Sequence, residues 1–134
     1  MTSQIKPNGA TVSREPKIPS AEHPITIEPH DGRVVVRHGG TILADTRAAL
    51  TLREADYPAV QYIPRADVNQ SLLIESDTAT YCPYKGDASY ASLQLPDAVV
   101  ADVLWFYGQP YPAVAQIRDH VAFYTDRVEV VADA

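Results

Sequence analysis

The chain has 134 residues, 46% hydrophobic and 21% charged, with 17 acidic against 11 basic residues and a single cysteine. That length and composition fit one globular domain whose core needs no covalent staples. The acidic balance excludes a general nucleic-acid binder, which needs clustered Lys and Arg, and the lone Cys82 excludes a disulfide framework or a cysteine-rich zinc site.

No apolar run approaches the ~20 residues of a membrane span. The opening MTSQIKPNGATVSREPK has no apolar stretch, so no secretory leader is expected and the cytoplasm is the expected compartment. Residues 1–24 hold four of the 11 prolines and no aromatic residue, and they show no period of 2 or 3.6. They read as an extended or flexible N-terminal arm, either unstructured or laid along this domain or a partner subunit, which admits a homodimer. Residues 25–134 carry the domain, with 8 basic against 15 acidic residues.

Along that body the pattern predicts short strands. Ile25–Glu28 alternates and is turned by Pro29-His30-Asp31-Gly32. Arg33–Arg37 is β-branched, and His38-Gly39-Gly40 supplies a tight hairpin into Thr41–Ala44. Ala48–Asp56 fits a helical turn or a strand equally. Val60–Ile63 is a strand stopped by Pro64, and Leu72–Glu75 and Thr78–Cys82 follow. Pro83–Asp87 turns the chain into Ser89–Leu93, which returns antiparallel. Ala98–Tyr107 is β-rich and ends at Gly108-Gln109-Pro110. Pro112–Asp119 is the helix candidate, with Pro in the first turn and Ala113, Gln116 and Ile117 spaced for one face. Val121–Tyr124 and Arg127–Val131 read as a closing hairpin around Thr125-Asp126. Strands at this spacing predict a mostly β, antiparallel domain with one short helix.

Three groups of residues carry candidate chemistry. Lys85 is the only lysine outside the arm, and it stands three residues from the only cysteine. A thiol beside an ammonium favours the thiolate, and a glycine turn lets backbone amides face a ligand. The pair reads as an anion or carbonyl site, as an activated nucleophile, or as a plain turn with an inert thiol. Seven of the eleven aromatic residues fall between Tyr81 and Tyr111. Trp105 and Tyr107 share one strand face, and Tyr62 and Tyr90 add further apolar walls with polar tips. Arg65, at the end of the Tyr62 strand, is placed to clamp a carboxylate or phosphate, or to pair with Asp67 or Asp87. The histidines at 23, 30, 38 and 120 show no metal-ligand spacing, and no other cofactor motif is present.

Several ordered runs resemble one family. Arg33–Thr46, Tyr62-Ile63-Pro64-Arg65-Ala66-Asp67-Val68, Cys82-Pro83-Tyr84-Lys85-Gly86 with Tyr90, Trp105-Phe106-Tyr107-Gly108-Gln109-Pro110 and Val121–Tyr124 are similar to domain of unknown function 427. That family is common in bacteria and is labelled nucleotidyltransferase-like. The resemblance covers residues 25–131 and implies a β-tent-like architecture of two small antiparallel sheets. Other proteins of that shape pin their sheets with zinc on two Cys-x-x-Cys pairs; here Cys82-x-x-Lys85 stands alone, so such a site is excluded. The paired-Asp and Gly-Ser pattern of nucleotidyltransferases is also missing, and that activity does not carry over.

The residues together predict a cytoplasmic small-molecule-binding protein. Its aromatic pocket is lined by Tyr62, Arg65, Cys82, Lys85, Tyr90, Trp105 and Tyr107, and its ligand is anionic or carbonyl-bearing. The alternatives are an enzyme with Cys82 or Lys85 as nucleophile, or a protein-interaction module using sheet edges and the arm. No metal, cofactor, nucleic acid or membrane is expected.

Overall fold

The computed structural model describes residues 14–133. Among these residues ten strands follow one another: β1 (Ile25–Pro29), β2 (Val34–His38), β3 (Thr41–Thr46), β4 (Leu50–Glu54), β5 (Val60–Pro64), β6 (Leu73–Cys82), β7 (Gly86–Leu95), β8 (Ala98–Tyr107), β9 (His120–Phe123) and β10 (Glu129–Ala132). They form two antiparallel sheets. The larger has seven strands in the order β1-β4-β5-β9-β8-β7-β6, and the smaller has three in the order β10-β2-β3. The architecture is the expected mostly β one. No helix among the described residues is long and apolar enough to cross a membrane.

The central strands of the large sheet are apolar on both faces because both faces are covered. One face sends Ile63, Leu93, Leu104 and Val121 against Val34, Val36 and Leu43 of the small sheet, all at most 1% exposed. The other face sends Leu52, Tyr62, Tyr107 and Ala122 against Val114 and Ile117 of a short connecting segment. This is why β8 reads as a nearly unbroken apolar run and not as an alternating one.

Several local expectations are corrected. Ala48–Asp56 resolves to strand β4. Leu72–Glu75 and Thr78–Cys82 merge into the single strand β6, with an irregular register against β7 between Glu75 and Ala79. The helix candidate at Pro112–Asp119 is a 3-10 segment, Pro112–Ile117, broken by a non-helical Val114 at φ −126° and ψ 29°. Val114 and Ile117, three residues apart, are its buried pair, as three residues per turn requires. Two further 3-10 turns occupy Arg65–Asp67 and Gln70–Leu72. The closing hairpin does not form. β10 leaves β9 and pairs with β2 from Glu129↔Arg37 to Ala132↔Val34. Val128, 5% exposed, joins the core between the sheets and draws the chain across.

Among the described residues Gly32, Gly39 and Gly86 take positive φ. Gly39, at φ +58°, closes the β2–β3 hairpin. Gly86, at φ +112°, starts β7 where a Cβ would meet the Gln109 carbonyl at 3.3 Å. That close approach lets the Tyr111 amide donate to the Lys85 carbonyl at 3.0 Å and locks the Lys85 turn against the loop after β8.

Candidate functional site

The cross-strand register assembles the site on the face opposite the small sheet. Tyr90 of β7 lies opposite Trp105 of β8, and Trp105 opposite Ala122 of β9. The Ile63↔Val121 pair sets Tyr62 of β5 on the far side of Ala122. Because Ala122 is small, Tyr62 and Trp105 meet above it. Their rings are T-shaped at 6.5 Å, and Trp105 Nε1 donates to the Tyr62 hydroxyl at 3.3 Å. Tyr107, two residues from Trp105, stands on the same face. Leu52, Glu54, Tyr62, Lys85, Tyr90, Trp105, Tyr107 and Tyr124 line a cleft of about 240 Å³ there.

Lys85 reaches the cleft from the β6–β7 turn and is 7% exposed. Its ammonium donates to Glu54 Oε1 and, at 3.8 Å, to Cys82 Sγ. The second carboxylate oxygen of Glu54 is 2.7 Å from His23 Nε2. The His23 ring in turn stacks on Tyr84, with centroids 4.1 Å apart and planes within 5°. Burial pushes the Glu54 carboxyl up, but the hydrogen bonds and charges of Lys85 and His23 outweigh it and hold Glu54 below the usual carboxylate range.

The tyrosines behave oppositely. Burial drives the Tyr62 hydroxyl well above its ordinary range, opposed only by the hydrogen bond from Trp105. Burial also raises Tyr107, and the nearby ionisable groups of Tyr62, Cys82, Tyr90 and Glu54 raise it further. Tyr124 is pushed up to about 12, first by burial and then by its hydrogen bond with Tyr90. All three therefore remain O–H donors at neutral pH. The Tyr62 oxygen already accepts from Trp105, so its own proton seeks an acceptor. Tyr107 is 7% exposed, and its hydroxyl has no hydrogen-bond partner among the described residues.

The structure thus brings Tyr62, Lys85, Tyr90, Trp105 and Tyr107 together. Cys82 sits directly behind Lys85, packed among the residues beneath the cleft and not on its wall. Among the described residues no histidine or carboxylate hydrogen-bonds to its sulfur. Arg65 is elsewhere: its guanidinium lies 4.2 Å over the ring of Phe106, whose parity on β8 is opposite to that of Trp105 and Tyr107. It bounds a different depression with Leu73 and Leu104, so the pairing of Arg65 with Lys85 in one cavity is corrected. Its suggested acidic partners are engaged by others, Asp67 by Thr46 and Asp87 by Arg14.

Glu54 and His23 were not among the sequence candidates. The readable sign was parity: Leu50, Leu52 and Glu54 share a face of β4, so a carboxylate occupies an apolar position. His23 belongs to the arm, whose described part runs over the β6–β7 tip, with the Lys17 amide donating to the Pro83 carbonyl at 2.9 Å. Among the described residues, no three His, Cys, Asp or Glu side chains gather as a metal-binding set.

Against this geometry the comparison with known families is specific. The family described as a domain of unknown function, DUF427, matches residues 26–134, from β1 through β10 and so all the strands that build the cleft. No curated protein matches the chain.

Proposed function

The chain belongs to the DUF427 family, a membership that brings no reaction with it, and from the geometry of its cleft we propose that it binds a small, neutral, carbonyl-bearing molecule. The observation that carries this reading is the unpartnered, buried hydroxyl of Tyr107 beside the half-satisfied hydroxyl of Tyr62. Two donors without acceptors, under aromatic walls, ask for an acceptor with a planar flank. The Lys85 ammonium adds a third donor. Its charge is met by Glu54, so the cleft offers donors without net positive charge, which favours a carbonyl over a carboxylate or phosphate. This narrows the anionic-or-carbonyl expectation. The cleft is below the ~300–1,000 Å³ of drug-sized sites, so the bound group is compact. The cytoplasm is the compartment in which we place this activity.

A thermal-shift screen of metabolites tests the proposal, because a ligand that binds only the folded state must raise its stability. Neutral carbonyl compounds are expected among the hits. Tyr107→Phe should weaken each by roughly three- to tenfold, the worth of one hydrogen bond. Hits that bind the Phe variant equally well, or a hit list made of anions, would overturn the reading.

A further inference from the structure

The opening does not end at the Tyr107 cleft. β5 and β9 share only two register pairs, Ile63 with Val121 and Pro64 with His120. Beyond these the β5–β9 ladder stops, although β5 still pairs with β4 at Val60–Tyr62 and β9 with β8 at Ala122 and Phe123. A second cleft, of about 340 Å³, lies in the gap. Pro58, Val60, Trp105 and Tyr124 line both clefts and so form a neck between them. Past the neck the walls are mainly apolar, with Ile63, Phe123, Val130 and Ala132, and the exposed Thr125 and Asp126 add the polar edge.

We infer that the ligand is elongated, with a carbonyl head among Tyr62, Tyr107 and Lys85 and a short apolar tail that passes the neck into the second cleft. This rests on the carbonyl reading of the first cleft and adds to it the class of molecule: a neutral amide or ketone with a hydrocarbon substituent, not a compact polar metabolite. The chemistry changes along the opening as such a molecule changes along its length. The first cleft supplies O–H and N–H donors. The second supplies mostly carbon surface, which rewards each buried methylene by about fourfold in affinity.

Trp105 is the only tryptophan in the chain and stands at the neck, so its fluorescence reports on both clefts. The test titrates the full chain with butanamide, hexanamide and octanamide, which share one head and differ in tail. Affinity should rise about fourfold per methylene until the second cleft is filled. Ala59→Phe and Ala132→Phe occlude that cleft from different strands or their flanks, and both positions are exposed, so the fold tolerates them. Each should flatten the dependence on tail length while leaving butanamide unchanged. Equal affinities across the series, or a length dependence that survives both variants, would overturn the inference. If butanamide binds and Tyr107→Phe weakens it but length adds nothing, the inference alone has failed. If no member of the series binds, the carbonyl reading has failed and the inference with it.

Discussion

At Glu54 two side chains converge on one carboxylate, and the convergence is unequal. Glu54 has both Lys85 and His23, while among the described residues the Lys85 ammonium has only Glu54 and the weak sulfur contact. Removing the carboxylate strands an almost fully buried ammonium, whereas removing the ammonium leaves Glu54 its histidine. Glu54→Gln should therefore cost about 3 kcal/mol, in the range for breaking a buried pair. Lys85→Met should cost nearer 1 kcal/mol, since Met keeps the apolar stem. Urea melts of the two variants check this, and a larger loss for Lys85→Met would show that the ammonium, not the carboxylate, organises the site. The same carboxylate predicts a pH dependence. The folded chain holds Glu54 below its ordinary value of 4.5, so in the window between the two values the unfolded chain binds more protons. The stabilisation is complete above the ordinary value and is lost as pH falls through the depressed one. Glu54→Gln should flatten the acid limb of stability against pH. An unchanged limb would assign acid sensitivity to other carboxylates, such as Asp102, which Ser76 and Thr78 hold below the usual range.

Among the elements, those defined by local chemistry were legible and those defined by distant partners were not. Gly39-Gly40 fixed a hairpin wherever the rest of the chain went, and β2–β3 formed as read. Val121–Tyr124 and Arg127–Val131 look like a hairpin by the same local criteria, yet β10 crosses to the small sheet, because the inter-sheet core offers Val128 and Val130 more burial than β9 does. Pro112–Ile117 has helical composition, but the non-helical Val114 interrupts it, leaving 3-10 turns whose Val114 and Ile117 are buried. In the site, the aromatic set and Lys85 were visible from spacing, while Arg65 was misassigned because one residue of strand parity and a stop at Pro64 send it to the opposite face. The arm mixes both cases. Its residues 1–13 lie outside the described residues, but Arg14 pairs with Asp87 and lies over Tyr81, and His23 reaches Glu54. Among the described residues, deleting residues 1–20 removes the exposed Arg14–Asp87 pair, worth about 0–1 kcal/mol, and the Lys17–Pro83 backbone bond, worth about 1 kcal/mol, so melting should fall by no more than a few degrees. Deleting residues 1–24 also removes His23 and the Pro24 carbonyl that accepts from the Ala55 amide at 2.8 Å, and should cost more than His23→Ala added to the shorter deletion. A collapse on the shorter deletion would make the arm part of the fold.

At the scale of the whole molecule, one sheet carries two cores, and only one of them contains the tyrosines of the first cleft. The core between the sheets contains Leu43, Val36 and Leu104, while the core under the cleft contains Ile117 and Val114 together with Tyr62 and Tyr107 themselves. Leu43→Ala and Ile117→Ala remove comparable buried side chains, 1% and 0% exposed. Each should cost about 2–5 kcal/mol through lost transfer energy and the cavity left behind. Their effects on binding should differ. Ile117 belongs to the same buried cluster as Tyr62 and Tyr107, so those rings can settle into the space it leaves and the donors lose their alignment. The space left at Leu43 lies in the core between the sheets, a different cluster from the one that contains the Tyr62 and Tyr107 rings. Measured by Trp105 fluorescence well below either melting point, butanamide affinity should fall by roughly three- to tenfold in Ile117→Ala, the value of one lost hydrogen bond, and stay within about twofold of wild type in Leu43→Ala. Equal losses in both would mean that the sheet transmits strain from face to face and that stability and binding cannot be separated by which face a residue packs on. An unchanged affinity in Ile117→Ala would mean that the hydroxyls are held by the strands alone, with Trp105 and Ala122 fixing Tyr62 and the Lys85 turn fixing Tyr107.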